Sequence, residues 1–323
     1  MEQTKESPKK VTAKKVISWL GTVLMLISLG FIVRRFMNYG IDFSWLNSPW
    51  VVAGLSAVAV GEGMAMVGAS LNFRALLKNI SGMAVRRPLA MEVYLVSNLY
   101  KYIPGGVMYV AGRHRMVVET TGLTHSKMVF STIIEGVLIV IGALAVAMAL
   151  SFSYVTTYVI EQIDLLRILL PVLGILIAAG APAAYIFRKK ISAALKKFWE
   201  TVEIFKPAVL FKRLGFALIL MFLWGLTFLL TLMLLGQPVH LTLAGAIIGL
   251  YLLAWLAGFL MPGAPSGLGI REVVMMMFLP EIVYYDILLA ALIMHRAVTM
   301  AGDVFAYGVG TMYAKIKGGI SHA

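Results

Sequence analysis

Asn98-Leu-Tyr-Lys-Tyr-Ile-Pro-Gly-Gly-Val-Met-Tyr-Val-Ala-Gly-Arg113 ends an apolar stretch, residues 89–112, that carries Glu92 and Lys101 and is broken at Pro104-Gly105-Gly106. Prolines and glycines at that density stop a helix. Irregular backbone at membrane depth survives only where it lines a cavity or is buried in protein. Whether this stretch crosses a bilayer or turns back therefore decides the fold. The composition makes the bilayer the right frame: 323 residues, 60% hydrophobic and 13% charged, with mean hydropathy +0.89. Soluble domains are about 45–50% apolar and about 25% charged, so a soluble enzyme and a disordered chain are both excluded.

Six other runs read as full spans: 16–33, 50–71 with Glu62, 128–152 with Glu135, 168–187, 214–235, and 287–311 with His295, Arg296 and Asp303. A second interrupted stretch, 240–261, looks like a span but runs into Pro262-Gly-Ala-Pro265-Ser-Gly267-Leu-Gly269, followed by the short apolar piece 273–279. No Asp, Glu, Lys or Arg occurs between Leu214 and Ile270.

Charge placement selects the threading. If 89–112 crossed fully, Arg188, Lys189, Lys190, Lys196, Lys197, Lys206, Lys212 and Arg213 would all face outward, against the positive-inside rule. If it dips in and returns, 22 loop and tail cations lie inside, and only Arg34, Arg35 and Arg167 lie outside. The second interrupted stretch must then re-enter from the opposite face. The expected fold is an all-α polytopic membrane protein with six full spans and two re-entrant Pro/Gly-broken helical hairpins in an inverted repeat. An offset of about 161 places Gly54 on Gly215, Pro104 on Pro265 and Glu135 on Arg296. Residues 1–15 form a basic cytoplasmic tail, 16–312 a single transmembrane domain with halves 16–152 and 166–312, and 313–323 a second cytoplasmic tail. The basic loop 188–213 lies within the second half, and 191–205 reads as an amphipathic helix on the inner leaflet.

The net charge of +13 would suggest nucleic acid on a soluble domain. Here it is loop charge that sets orientation and favours anionic inner-leaflet phospholipid, with no nucleic acid implied. Cysteine is absent, and no phosphate-binding loop, metal-ligand spacing or cofactor motif stands out, so no enzyme activity, metal or cofactor is expected. The chemistry resides in the two breaks. Lys101, Pro104, Gly105, Gly106 and Arg113 at the first, and Pro265, Gly267, Gly269, Arg271 and Glu272 at the second, offer turning backbone, free N–H groups and guanidinium donors suited to an anionic headgroup. Glu272 would equally neutralise Arg271. Glu62, Glu135, His295, Arg296 and Asp303 form an intramembrane charge set, with Glu135–Arg296 and Arg296–Asp303 as rival pairings. Charges in spans are costly and face a partner or a cavity.

Lys101-Tyr-Ile-Pro-Gly-Gly…Gly112-Arg113 and Pro265-Ser-Gly-Leu-Gly-Ile-Arg-Glu272 resemble the two signatures of the lysylphosphatidylglycerol synthase transmembrane-region family, the flippase-like domain, over roughly residues 16–312. That resemblance implies translocation of an aminoacylated phospholipid or a polyprenyl-linked lipid in the cell (inner/cytoplasmic) membrane, with both termini cytoplasmic. With no soluble aminoacyl-transferase domain before Ala323, only the transport half is carried over. The alternatives are a proton-coupled secondary transporter of a small anion, working through Glu62, Glu135 or His295, and an accessory intramembrane enzyme of a lipid-linked glycan pathway using Glu272. A homo-oligomer is compatible with any of them.

Overall fold

The computed structural model describes residues 44–102, 108–161, 192, 207–261, 267, 269–280 and 282–317. The expected spans 16–33 and 168–187, most of the basic 188–213 segment, the 191–205 helix apart from Ser192, and Pro104, Gly105, Gly106 and Pro265 lie outside these residues.

Among the described residues there are eight helices and no strand. They are α1 (Pro49–Ser81), α2 (Arg87–Asn98), α3 (Met108–Thr121), α4 (His125–Glu161), α5 (Pro207–Leu234), α6 (Leu241–Leu260), α7 (Ile270–Phe278) and α8 (Tyr285–Lys317). Five of them, α1, α4, α5, α6 and α8, are long and apolar enough to cross a membrane. This is a multi-pass membrane protein.

A hydrocarbon core about 30 Å thick needs about 20 helical residues. The 12 residues of α2, 14 of α3 and 9 of α7 fall short of that length. In the first interrupted stretch both limbs are therefore short, with a single 3-10 turn, Leu99–Tyr102, leading into the break. The second stretch has limbs of unequal length, the first matching the span-like run 240–261 and the second short. Its 20-residue α6 is long enough to span, because no charge, proline or bend interrupts it before Met261.

Which surfaces face lipid follows from exposure. Val129, Ile133, Val137, Ile141, Leu144, Met148 and Phe152 form an exposed apolar stripe along α4 at helical spacing. In water such a stripe would be an aggregation site; in a bilayer it is the solvated face. The interior is filled by Phe73, Phe228, Met221, Leu232, Leu252 and Met275, all fully buried.

The packing pairs the two halves symmetrically. Helix α8 lies on α1 and α2, as α4 lies on α5 and α6; α2 packs with α3 as α6 does with α7; α1 packs with α2 as α5 does with α6; and α1 touches α5 across the middle. Exchanging α1, α2, α3, α4 for α5, α6, α7, α8 leaves these neighbour relations unchanged.

Glycine sets how closely the long helices approach. A Cβ on Gly63 would lie 2.6 Å from the Gly302 carbonyl oxygen, and one on Gly302 would lie 2.8 Å from the Ala59 carbonyl oxygen and 2.9 Å from Glu62 Cβ. At this crossing α1 and α8 touch backbone to backbone. Gly302→Val should cost about 1–3 kcal/mol by overpacking, lowering the thermal midpoint in detergent micelles by several degrees. Gly308→Ala, where a Cβ meets nothing within 4 Å, should leave it unchanged.

Candidate functional site

Two short helices follow the two breaks, and each is fastened to the long helix after it by a buried ion pair. On α3, Arg113 Nη1 donates to Glu135 Oε2 of α4 at 2.8 Å. On α7, Glu272 Oε1 accepts from Arg296 Nε of α8 at 2.6 Å. The polarity is reversed between the halves: cation on the short helix in one, anion on the short helix in the other. The two pairings expected for Arg296 are thus replaced. Glu135 is taken by Arg113, and Asp303 by Lys101, Asn98 and Tyr102.

Arg113 is almost completely enclosed, 3% exposed. Its Nε donates to Ser97 Oγ at 3.2 Å, and its guanidinium lies 3.8 Å from the centroid of the Tyr94 ring and 5.0 Å from that of Phe73. The aromatic faces and Glu135 together replace the hydration this cation loses. Gly112 is required beside it, since a Cβ there would fall 2.4 Å from the Tyr100 ring.

At the second break the backbone does more of the work. Gly267 and Gly269 take positive φ of 66° and 87°, conformations that side chains resist. A Cβ on Gly258 of α6 would sit 3.0 Å from Gly267 Cα and 2.8 Å from Arg271 Cγ. The Gly269 N–H donates to Glu272 Oε2 at 2.8 Å, closing the first turn of α7. Glu272 is thereby occupied on both oxygens and makes no direct ion pair with Arg271. Arg271 instead donates to the Tyr251 hydroxyl of α6, with its guanidinium 5.0 Å from that ring. Among the described residues Arg113, Arg296 and Lys101 each have a carboxylate partner, whereas the half-buried Arg271 has none.

Asp303 of α8 ties down the other side of the first break. It receives Lys101 Nζ at 2.6 Å, Asn98 Nδ2 at 2.7 Å and the Tyr102 hydroxyl at 2.5 Å. Lys101 is held by a residue from the other half.

His295 lies in a buried hydrogen-bonded chain. Arginine only donates, so the Tyr251 hydroxyl accepts from Arg271 and donates to His295 Nε2 at 2.9 Å. Nδ1 then carries the proton and donates to Thr231 Oγ1 at 3.3 Å, while that hydroxyl donates to the Thr227 carbonyl at 2.8 Å. The polarity is consistent from end to end with a neutral imidazole. Glu62 Oε2 meets Thr227 Oγ1 at 2.9 Å.

Sequence reasoning missed Ser97, Asn98, Tyr94, Tyr102, Tyr251, Thr227 and Thr231. Polar side chains within apolar runs were the available signal, but their partners lie as many as 205 residues away. No described group of three or more His, Cys, Asp or Glu residues is placed to hold a metal.

The chain matches no known protein family and no curated protein. The likeness to the lysylphosphatidylglycerol synthase transmembrane region therefore rests on its two motifs.

Where α3 meets the first residue of α4, His114 Nε2 and His125 Nδ1 approach to 2.7 Å with stacked rings. Burial first, and the neighbouring imidazole second, hold His114 below the ordinary histidine range. A base with a depressed folded pKa adds stability above its unfolded pKa and loses it as pH falls through the folded value. In an NMR titration His125→Ala should raise the His114 midpoint. A second test concerns the first clamp: removing one partner of a buried pair costs about 3–5 kcal/mol. Arg113→Met or Glu135→Leu alone should therefore destabilise more than the two together, as read by a double-mutant cycle of thermal unfolding.

Proposed function

We propose that this protein is a flippase-like lipid transporter of the cell membrane, moving a phospholipid or polyprenyl-linked lipid with an anionic or zwitterionic headgroup between leaflets. The observation that carries this reading is Arg271. It follows a glycine-lined break, is half-exposed, and has a tyrosine hydroxyl but no carboxylate as its partner. A guanidinium of that kind suits a phosphate or carboxylate, with Gly267 and Gly269 letting the ligand approach the backbone.

The exchange-symmetric packing of α1–α4 and α5–α8, the short helices at both breaks and the placement of basic loops support an inverted repeat of six spans and two re-entrant hairpins, with both termini cytoplasmic. In the first half the arginine after the break, Arg113, is sealed against Glu135 and Tyr94. No ATP-binding motif or metal enters the scheme, and the partner is membrane lipid.

The loss of a charge-assisted hydrogen bond is worth about 1.5–3 kcal/mol. In vesicles carrying fluorescent phosphatidylglycerol, Arg271→Ala should slow translocation by about ten- to a hundredfold, and Arg271→Lys by less. Unchanged rates in Arg271→Ala would remove Arg271 from the reading.

A further inference from the structure

Three of the described carboxylates near the breaks are paired with cations. Glu135 has Arg113, Glu272 has Arg296 and Asp303 has Lys101. Glu62, on α1, is 7% exposed and meets a single polar partner among the described residues, the Thr227 hydroxyl of α5. That hydroxyl lies 2.9 Å from Glu62 Oε2 and 2.7 Å from the carbonyl oxygen of Trp224. A hydroxyl has one hydrogen to give. If Glu62 is ionised, Thr227 satisfies either the carboxylate or the carbonyl and the other contact fails. If Glu62 is protonated, its O–H donates to Thr227, Thr227 donates to Trp224, and both short contacts are hydrogen bonds.

We infer that Glu62 is a proton-binding site, carrying a proton in the conformation described here and releasing it in another. The inference deepens the transport reading by assigning it a coupling ion, and it rests on that reading for the coupling step alone. The proton comes from water and returns to water, and only the carboxyl O–H bond forms and breaks.

Position gives the proton leverage. The Glu62 stem rests on Gly302, where α1 and α8 touch, one residue from the Asp303 that holds the first break. The charged and titratable groups around Glu62 are Lys101 and Tyr102 of the 3-10 turn, Asp303 of α8, Tyr251 of α6 and Arg271 of α7; α5 presents Thr227. An ionised Glu62 repels Asp303 and competes with it for Lys101. A protonated Glu62 leaves Lys101, Asn98 and Tyr102 on Asp303, as observed. Loading and unloading one proton thus biases the anchor of the first break.

Two measurements on the full chain test this. Infrared spectra of the protein in lipid nanodiscs, recorded across pH, should show a buried carboxylic-acid C=O stretch. Glu62→Gln should abolish that band, and Thr227→Val should shift it to the frequency of a carboxyl free of a hydrogen-bonding partner. Identical spectra for wild type and Glu62→Gln would overturn the proton site. In vesicles with fluorescent phosphatidylglycerol, a one-unit pH gradient corresponds to about a tenfold driving ratio for one coupled proton. Wild-type leaflet asymmetry should shift toward that value, and Glu62→Gln should equilibrate the leaflets evenly whatever the gradient. Wild-type transport indifferent to the gradient would overturn the coupling. Vesicles in which the wild type moves no lipid would overturn the transport reading, while the infrared band would still decide whether Glu62 holds a proton.

Discussion

A helix interrupted inside a low-dielectric interior leaves backbone groups without partners and side-chain charges without water, and the surrounding protein must supply both. The arrangement around the two breaks follows from that demand. Each short helix after a break is pinned to the next long helix by one arginine–glutamate pair, Arg113–Glu135 and Glu272–Arg296. The first clamp relies on aromatic faces around Arg113, and the second on the Gly269 N–H binding Glu272.

The halves are tied together as tightly as each is tied within itself. Asp303 of α8 gathers three groups from the chain around the first break, and the glycines at positions 63 and 302 bring α1 and α8 into backbone contact beside it. The Tyr251–His295–Thr231 chain links α6, α8 and α5 by hydrogen bonds of one polarity. A displacement of α8 is therefore felt at the 3-10 turn, at Glu62 and at the second break together.

The helical class and the long apolar spans α1, α4, α5 and α8 were legible because hydropathy acts over twenty residues at a time and needs no partner. The two breaks were legible for the same local reason, as prolines and glycines act where they stand. Pairing was not. Glu135 and Arg296 were matched to each other by repeat position, yet each found an opposite charge on the short helix of its own half. Thr227 and Tyr251 could not have been singled out, since a lone hydroxyl in an apolar run becomes informative only once its partner on another helix is known.

The reversed polarity of the two clamps has an electrical consequence. In the inverted repeat proposed above, a two-fold axis in the membrane plane would turn the second pair upside down relative to the first. If both pairs had the same polarity, their dipole components along the membrane normal would cancel. With cation and anion exchanged between short and long helix, those components point the same way and add. Under that proposal, a rearrangement that opened one clamp and re-formed it elsewhere would move charge across the membrane field, and the resting potential would bias the balance between conformations.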